Sequence, residues 1–424
     1  MNEDLLHFIW KYQLFSNYLL FNSTEGNIEI INQGKHNFNA GPDFLEAKIR
    51  KGKTTWVGNI EIHNKSSDWY NHKHHQDKAY NNVILQVVKH HDKDIFTHDG
   101  RNIPVMEIAV SGSMEKKYKE FTESKRWIPC QNDFGLIDDF KLKMWLSNVL
   151  VERLNKKSDY ITDLLKLNKN SWEETFYQLL ARSFGFKINA EPFEWLAKSV
   201  QLKVLAKHQN DLTQLEAILF GQAGFLEGID AFGDYYGLLK EEYGFLKKKF
   251  RLEPIEKHLW KFLRLRPGNF PHIRIAQFAA LIHQSKSLFS KIVNTKELNE
   301  IKKLFKVQAS SFWDMHYTFE KTSKAKTKIM GKSSIDVILV NTVIPILFVY
   351  GKEQGNEEIK ERAIHYLEEL KPEKNKIIDK WVQLGVKVSS SFYSQALIEQ
   401  KNAYCDTVKC LNCGIGIEIL KNQI

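Results

Sequence analysis

The chain has 424 residues, 43% hydrophobic and 26% charged, the composition of a globular protein with room for two or three domains. Lys and Arg outnumber Asp and Glu by 61 to 51, and the resulting +10 favours a polyanionic partner or is simply a basic surface. Four cysteines in so long a chain exclude a disulfide-dense secreted scaffold, and the longest apolar run, residues 337–350, is shorter than a bilayer span.

The acidic start, with Glu3 and Asp4, predicts no secretory leader, so a cytoplasmic protein without membrane association is expected. Leu5, Leu6, Phe8, Ile9 and Tyr12 recur at helical spacing over residues 4–15, with Asn2 or Asp4 as the cap. Glu3 and Glu25 are acids available as extra metal ligands. Gly26 punctuates, residues 27–33 alternate as a first strand with Ile28 and Ile30 on one face, and residues 34–39 read as a polar loop.

The segment from Gly41 to Val88 organises the rest. A Gly41-Pro42 turn delivers Asp43, residues 44–49 read as a strand, and Arg50-Lys51-Gly52-Lys53 as a hairpin connection. The returning strand, residues 55–63, ends Glu61-Ile62-His63, and period two puts Glu61 and His63 on one face with Ile60 and Ile62 on the other. Antiparallel pairing brings Asp43 to the same sheet end. Two carboxylates with an imidazole suit Mg²⁺ or Mn²⁺. His72, His74, His75, Asp77 and Tyr80 then crowd into nine residues before the apolar strand 83–88, where Gln86 needs a buried partner. A solvated loop would also account for that polar cluster.

Pro42-Asp43 followed by Glu61-x-His63 resembles the core of the PD-(D/E)xK nuclease superfamily, with His63 where the usual lysine stands. Over nearly its whole length the chain also resembles domain-of-unknown-function family 2851, a resemblance that implies no particular activity. The first resemblance implies a restriction-endonuclease-like mixed sheet and phosphodiester cleavage of nucleic acid. It makes Asp43, Glu61 and the Ile62 carbonyl the metal ligands, and His63 the group that orients water or stabilises charge. It also makes Tyr80 and Gln86 supporting residues, with His74, His75 and Asp77 completing the shell or meeting substrate.

Residues 103–110 form a further strand, and residues 111–126 an exposed helix or connector. Beyond Cys130 the period is helical: Leu142, Trp145, Leu146, Val149 and Leu150 make one stripe, and Trp172, Phe176, Leu179 and Leu180 another. The stretch 264–274 sets Arg264, Arg266 and Arg274 among prolines and a glycine, either a phosphate-contacting loop or a connector whose arginines cap and pair. The basic stretch 321–332 reads as a mobile loop able to touch a nucleic-acid backbone.

Cys405, Cys410 and Cys413 are spaced C-x4-C-x2-C, with Cys130 far upstream. Such thiolates suit Zn²⁺ or a 4Fe–4S cluster with Cys130 as fourth ligand, and free packed thiols are the alternative. Some RecB-like nucleases resemble this arrangement, although the spacing differs. The expectation is an α+β or α/β protein. Residues 1–115 form the nuclease-like domain, and residues 116–424 a mostly helical domain closed by the cysteines. Its function is that of a metal-dependent nuclease. The alternatives are an inactive nucleic-acid-binding module, another metallohydrolase using the His72–His75 region, and a protein-interaction subunit.

Overall fold

Two periodicities divide the chain, alternation up to residue 108 and helical stripes beyond it. The computed structural model describes residues 3–15, 17–22, 28–227 and 233–423. Asn2, Glu25 and Gly26 lie outside the described residues. The fold is mixed α+β, an N-terminal mixed sheet followed by a mostly helical region.

Helix α1 (Glu3–Tyr12) buries Leu5, Leu6, Ile9 and Trp10 completely and packs on strand β5. Each such aliphatic side chain contributes about 1.5–3 kcal/mol relative to exposure. The sheet holds β1 (Tyr18–Phe21), β2 (Ile28–Asn32), β3 (Lys35–His36), β4 (Phe44–Lys51), β5 (Thr54–Lys65), β6 (Val83–His90) and β7 (Val105–Ile108). Their order is β1-β7-β6-β5-β4-β2, with β3 also on β4. Strands β2, β4 and β5 are antiparallel neighbours, whereas β5–β6 and β6–β7 are parallel.

The β4–β5 hairpin turns through Gly52 and Lys53, tighter than the four-residue connection expected. Gly52, at φ 58, supplies the left-handed conformation. Two short strands escape the sequence pattern. Four-residue β1 lies on the edge beside β7, and β3 occupies what reads as a polar loop. The β5–β6 crossover contains helix α2 (Asp68–Asn71) and two single 3₁₀ turns, His74–Gln76 and Lys78–Tyr80. Beneath it Trp69, Tyr80, Val83, Val88, Ile95, Ile103 and Val105 form one apolar cluster. Helix α3 (Gly112–Thr122) buries Met114, Tyr118 and Phe121, so only one of its faces is exposed.

The chain divides into two compact units. The first takes Met1–Val149, Lys376–Lys387 and Leu397–Ile424; the second takes Leu150–Asn375 and Val388–Ala396. The break falls inside α4 (Asp139–Leu167) rather than near residue 115, and the cysteine-bearing tail groups with the sheet. Composition changes where the sheet ends, but packing continues into the helices that cover it.

The second unit is mostly helical. Phe278 of helix Pro271–Gln284 packs its ring against Tyr177 and Phe184. The apolar run 337–350 lies within one continuous 22-residue helix, Lys332–Glu353, long and apolar enough for a bilayer by length and composition. Its most apolar stretch is 72% buried inside the protein. The basic stretch 321–332 is tied down: Lys321–Thr322 pairs with His316–Thr318, and the Lys328 ammonium, almost fully buried, donates to the carbonyls of Asp314 and Lys326.

Candidate metal centre

Register places the acids. Phe44 stands opposite Ile60, which sets Asp43, one residue outside β4, opposite Glu61. Further along the hairpin Ala47 pairs with Gly58, so one extra residue bulges from β4. Glu46 occupies the bulge at φ 57, its N–H donating to Asn59 Oδ1. Without the bulge Asp43 would face Ile62, one residue on and on the opposite side of the pleat. Asn37 holds the approach: its backbone N–H donates 2.7 Å to the Asp43 carbonyl and its side chain 3.0 Å to the Pro42 carbonyl.

The carboxylates interlock with the opposite backbone. Asp43 Oδ2 accepts the Ile62 N–H at 2.9 Å, and the Asp43 N–H donates 3.2 Å to Glu61 Oε2. His7 Nε2, from α1, lies 3.3 Å from Asp43 Oδ2. Glu61 Oε1 is 3.1 Å from His74 Nε2 and 3.5 Å from His63 Nε2, and His63 Nε2 is 3.1 Å from His72 Nδ1. One ligand atom each from His63, His72 and His74 lies within 4.8 Å of the others. Tyr80 stacks on the His74 ring at 3.9 Å, and Trp69 meets it edge-on at 5.3 Å.

Gln86 stands beside Glu61 in the parallel register, and its Nε2 donates to His63 Nδ1 at 2.9 Å and the Ser66 carbonyl at 3.3 Å. In this arrangement the proton of neutral His63 sits on Nε2. Gln86 Oε1 is buried without a partner. Exchanging the two ends of the amide would let that oxygen accept an Nδ1 proton and free Nε2 to ligate.

Burial governs the electrostatics. It raises the Glu61 pKa far above the carboxylate range, with the Asp43 charge adding to it. Burial also pushes Asp43 upward, but the His7 imidazole and the Ile62 N–H outweigh it and leave that carboxyl below its ordinary value. His63 is pushed down to about 3 by burial, then by His74 and His72, so it is neutral at physiological pH. His7 moves the other way: burial lowers it, but Asp43, with Asp4 and Glu3, raises it overall. Asp43 and His7 therefore favour each other's charged forms, while burial favours the neutral forms of Glu61 and His63.

The residues present fit a cation. Glu61 oxygen and three imidazole nitrogens converge, and His74 Nε2 is buried near Glu61 without a hydrogen bond. Such a nitrogen-rich set suits Mn²⁺ or Zn²⁺ better than Mg²⁺.

Among the other residues expected here, Tyr80 and Gln86 join the centre and His75 and Asp77 do not. The His75 ring packs on Tyr70, and the Asp77 carboxylate accepts the Ala79 N–H, capping a 3₁₀ turn. Glu3 lies near the strand end, its carboxylate 3.4 Å from the Asn64 N–H. Arg274 is a correction: it is 4% exposed, bonded to Gln277, Asn269 and Ser334, and stacked over Phe186, leaving no face for a phosphate. Arg264 and Arg266 are exposed. The sequence reading missed His7, which only helix packing brings to Asp43. The signal for it was a lone histidine interrupting an apolar helix face.

The molecule is thus a mixed-sheet α+β protein with an acid–histidine cluster at one end of its sheet. A family model described as "Protein of unknown function (DUF2851)" matches residues 3–376, and the chain belongs to that family. No curated protein and no solved structure matches the chain.

Proposed function

We propose that the first unit is a metal-dependent phosphodiesterase acting on nucleic acid, built on a restriction-endonuclease-like core. The carrying observation is the convergence of Asp43, Glu61 and His63 with His72 and His74 at one sheet end. The element order supports it: α1, three antiparallel strands β2, β4 and β5, a short-helical crossover, then β6 parallel to β5.

Glu61, His63, His72 and His74 would hold the ion, with Asp43 beside them. Bound there, a divalent ion supplies Lewis acidity toward water and the phosphoryl oxygens. The protein's own groups divide the remaining work. Glu61 gives up its proton when a cation binds, because ligands must be deprotonated. His63 stays neutral and cannot replace the charge of the lysine that the resemblance would put there. The group whose charged form the site favours is His7, because Asp43 raises its pKa, and in that form it is suited to donate to a phosphate oxygen.

The test incubates the full chain with duplex DNA, single-stranded DNA and RNA in Mg²⁺, Mn²⁺ or Zn²⁺. Cleavage abolished by Asp43→Ala and by Glu61→Ala is expected. Binding without cleavage under all three ions would instead favour an inactive module. A second reading rests on the histidine trio: a hydrolase of small phosphoesters would cleave bis-p-nitrophenyl phosphate, spare polynucleotides and depend on His74 more than on Asp43.

A further inference from the structure

The second donor cluster lies in the same unit but shares none of these residues. Cys130, Cys405, Cys410 and Cys413 are all free and all buried. They come from separate places: a turn before α4, a π-helical turn over Gln400–Cys405, a 3₁₀ turn over Cys410–Asn412, and the residue capping helix Gly414–Lys421. Cys130 nevertheless lies within electrostatic reach of the other three thiols.

The surroundings are built for thiolates. Gln400 Nε2 points at two sulfurs, 3.1 Å from Cys413 Sγ and 3.5 Å from Cys405 Sγ. Its Oε1 is fixed by the Trp145 indole N–H at 2.7 Å, so the amide keeps its donor end toward sulfur. Backbone N–H groups of Ile415 and Gly416 add to the donors around Cys413. Gly416 allows this closeness, because a Cβ there would lie 2.3 Å from the Cys410 carbonyl oxygen. N–H groups aimed at sulfur are better matched to ligated thiolates than to protonated thiols.

Spacing selects the occupant. One zinc ion binding sulfur at about 2.3 Å would draw its ligands to about 4 Å from one another. Among the described residues, the group of three candidate ligands within 4.8 Å of one another is the histidine trio, not any three of these cysteines. A cubane puts each thiolate on a separate iron and takes ligands standing farther apart.

We infer that Cys130, Cys405, Cys410 and Cys413 ligate a 4Fe–4S cluster, each thiol releasing its proton on ligation. The cluster holds the segment that carries its ligands. Thr407–Asn412 form one wall of a cleft of about 380 Å³ whose other residues include His7, Lys11 and His36. His7 is the residue paired with Asp43, so the cluster fixes a wall of the cleft that reaches the acid site.

The experiment is anaerobic purification of the full chain, with iron, acid-labile sulfide and visible absorption measured together. About four irons and four sulfides per chain, and a broad absorption bleached by dithionite, are expected for such a cluster. Cys413→Ser should lose most of the iron, while Asp43→Ala, in the other centre, keeps it. Removing iron from the wild-type protein should speed tryptic cleavage at Lys401 and Lys409, a readout that does not require a folded cysteine variant. A colourless, iron-free folded protein overturns the inference, as does a single zinc retained through purification and lost in Cys413→Ser.

Discussion

Each donor cluster leans on one buried glutamine, and the two glutamines are held differently. Gln400 is anchored at both ends, its oxygen by Trp145 and its nitrogen by two sulfurs. Gln86 is anchored only by its nitrogen, and its oxygen has no partner. A locked amide suits sulfurs that never change protonation once ligated. An amide able to turn suits an imidazole whose proton must move when a cation arrives. On the readings proposed above, the contrast would separate a permanent structural site from a working one.

The largest expected effect would break this contrast most directly. Asp43→Ala and Glu61→Ala should each lower kcat/KM for phosphodiester cleavage by on the order of a thousandfold, with iron content unchanged. Loss of iron in either variant would show that the two centres are not independent. Next comes Gly416→Ala, where a methyl group meets the Cys410 carbonyl. A loss of about 1–3 kcal/mol in a denaturant titration is expected, with reduced iron occupancy.

The pH response sharpens the comparison further. Folding raises the Glu61 pKa, so the stability this group contributes is complete below the free-carboxylate range and is lost as pH rises through the raised value. Folding lowers His63 to about 3, so its contribution is present above the free-histidine value and is lost on acidification. A cation needs both groups deprotonated. The rise in Tm caused by Mn²⁺ should therefore be larger near about pH 8 than near about pH 6. A pH-independent shift, followed by differential scanning fluorimetry, would place the ion elsewhere.

The last prediction concerns the glutamines. Gln86→Leu leaves His63 Nδ1 without its buried partner and should cost about 1–3 kcal/mol, read by thermal denaturation in the absence of metal. Gln400→Leu should instead spare the fold while the cluster is bound, and shift the visible spectrum and potential of the iron.

How legible each centre was follows from how its residues are connected. Asp43, Glu61 and His63 sit on one hairpin, where alternation fixes faces and a turn fixes the partner strand. The meeting point could be read, but the bulge at Glu46 that sets the register could not, because a non-glycine residue at positive φ leaves no signal. His72 and His74 were visible as a polar cluster. Which of its members turn inward depends on two 3₁₀ turns and on Lys73 at φ 62, and His75 packs on Tyr70 instead of joining the trio. Arg274 looked like loop chemistry because it follows two prolines. The second of them instead opens helix Pro271–Gln284, whose first turn is buried on nearly every side. The cysteines announced themselves by spacing, whereas Gln400 needed the fold.

The first unit is written in the gene around the second: residues 150–375 are translated between its sheet and its tail. A ribosome reaches Ala396, the last residue of the helical unit, before Cys405, Cys410 and Cys413 exist, so most of that unit is made while its neighbour still lacks helix Gly414–Lys421. Closure of the sheet-bearing unit therefore waits for segments made after the helical one, and any centre built on its cysteines waits for residues 405–413.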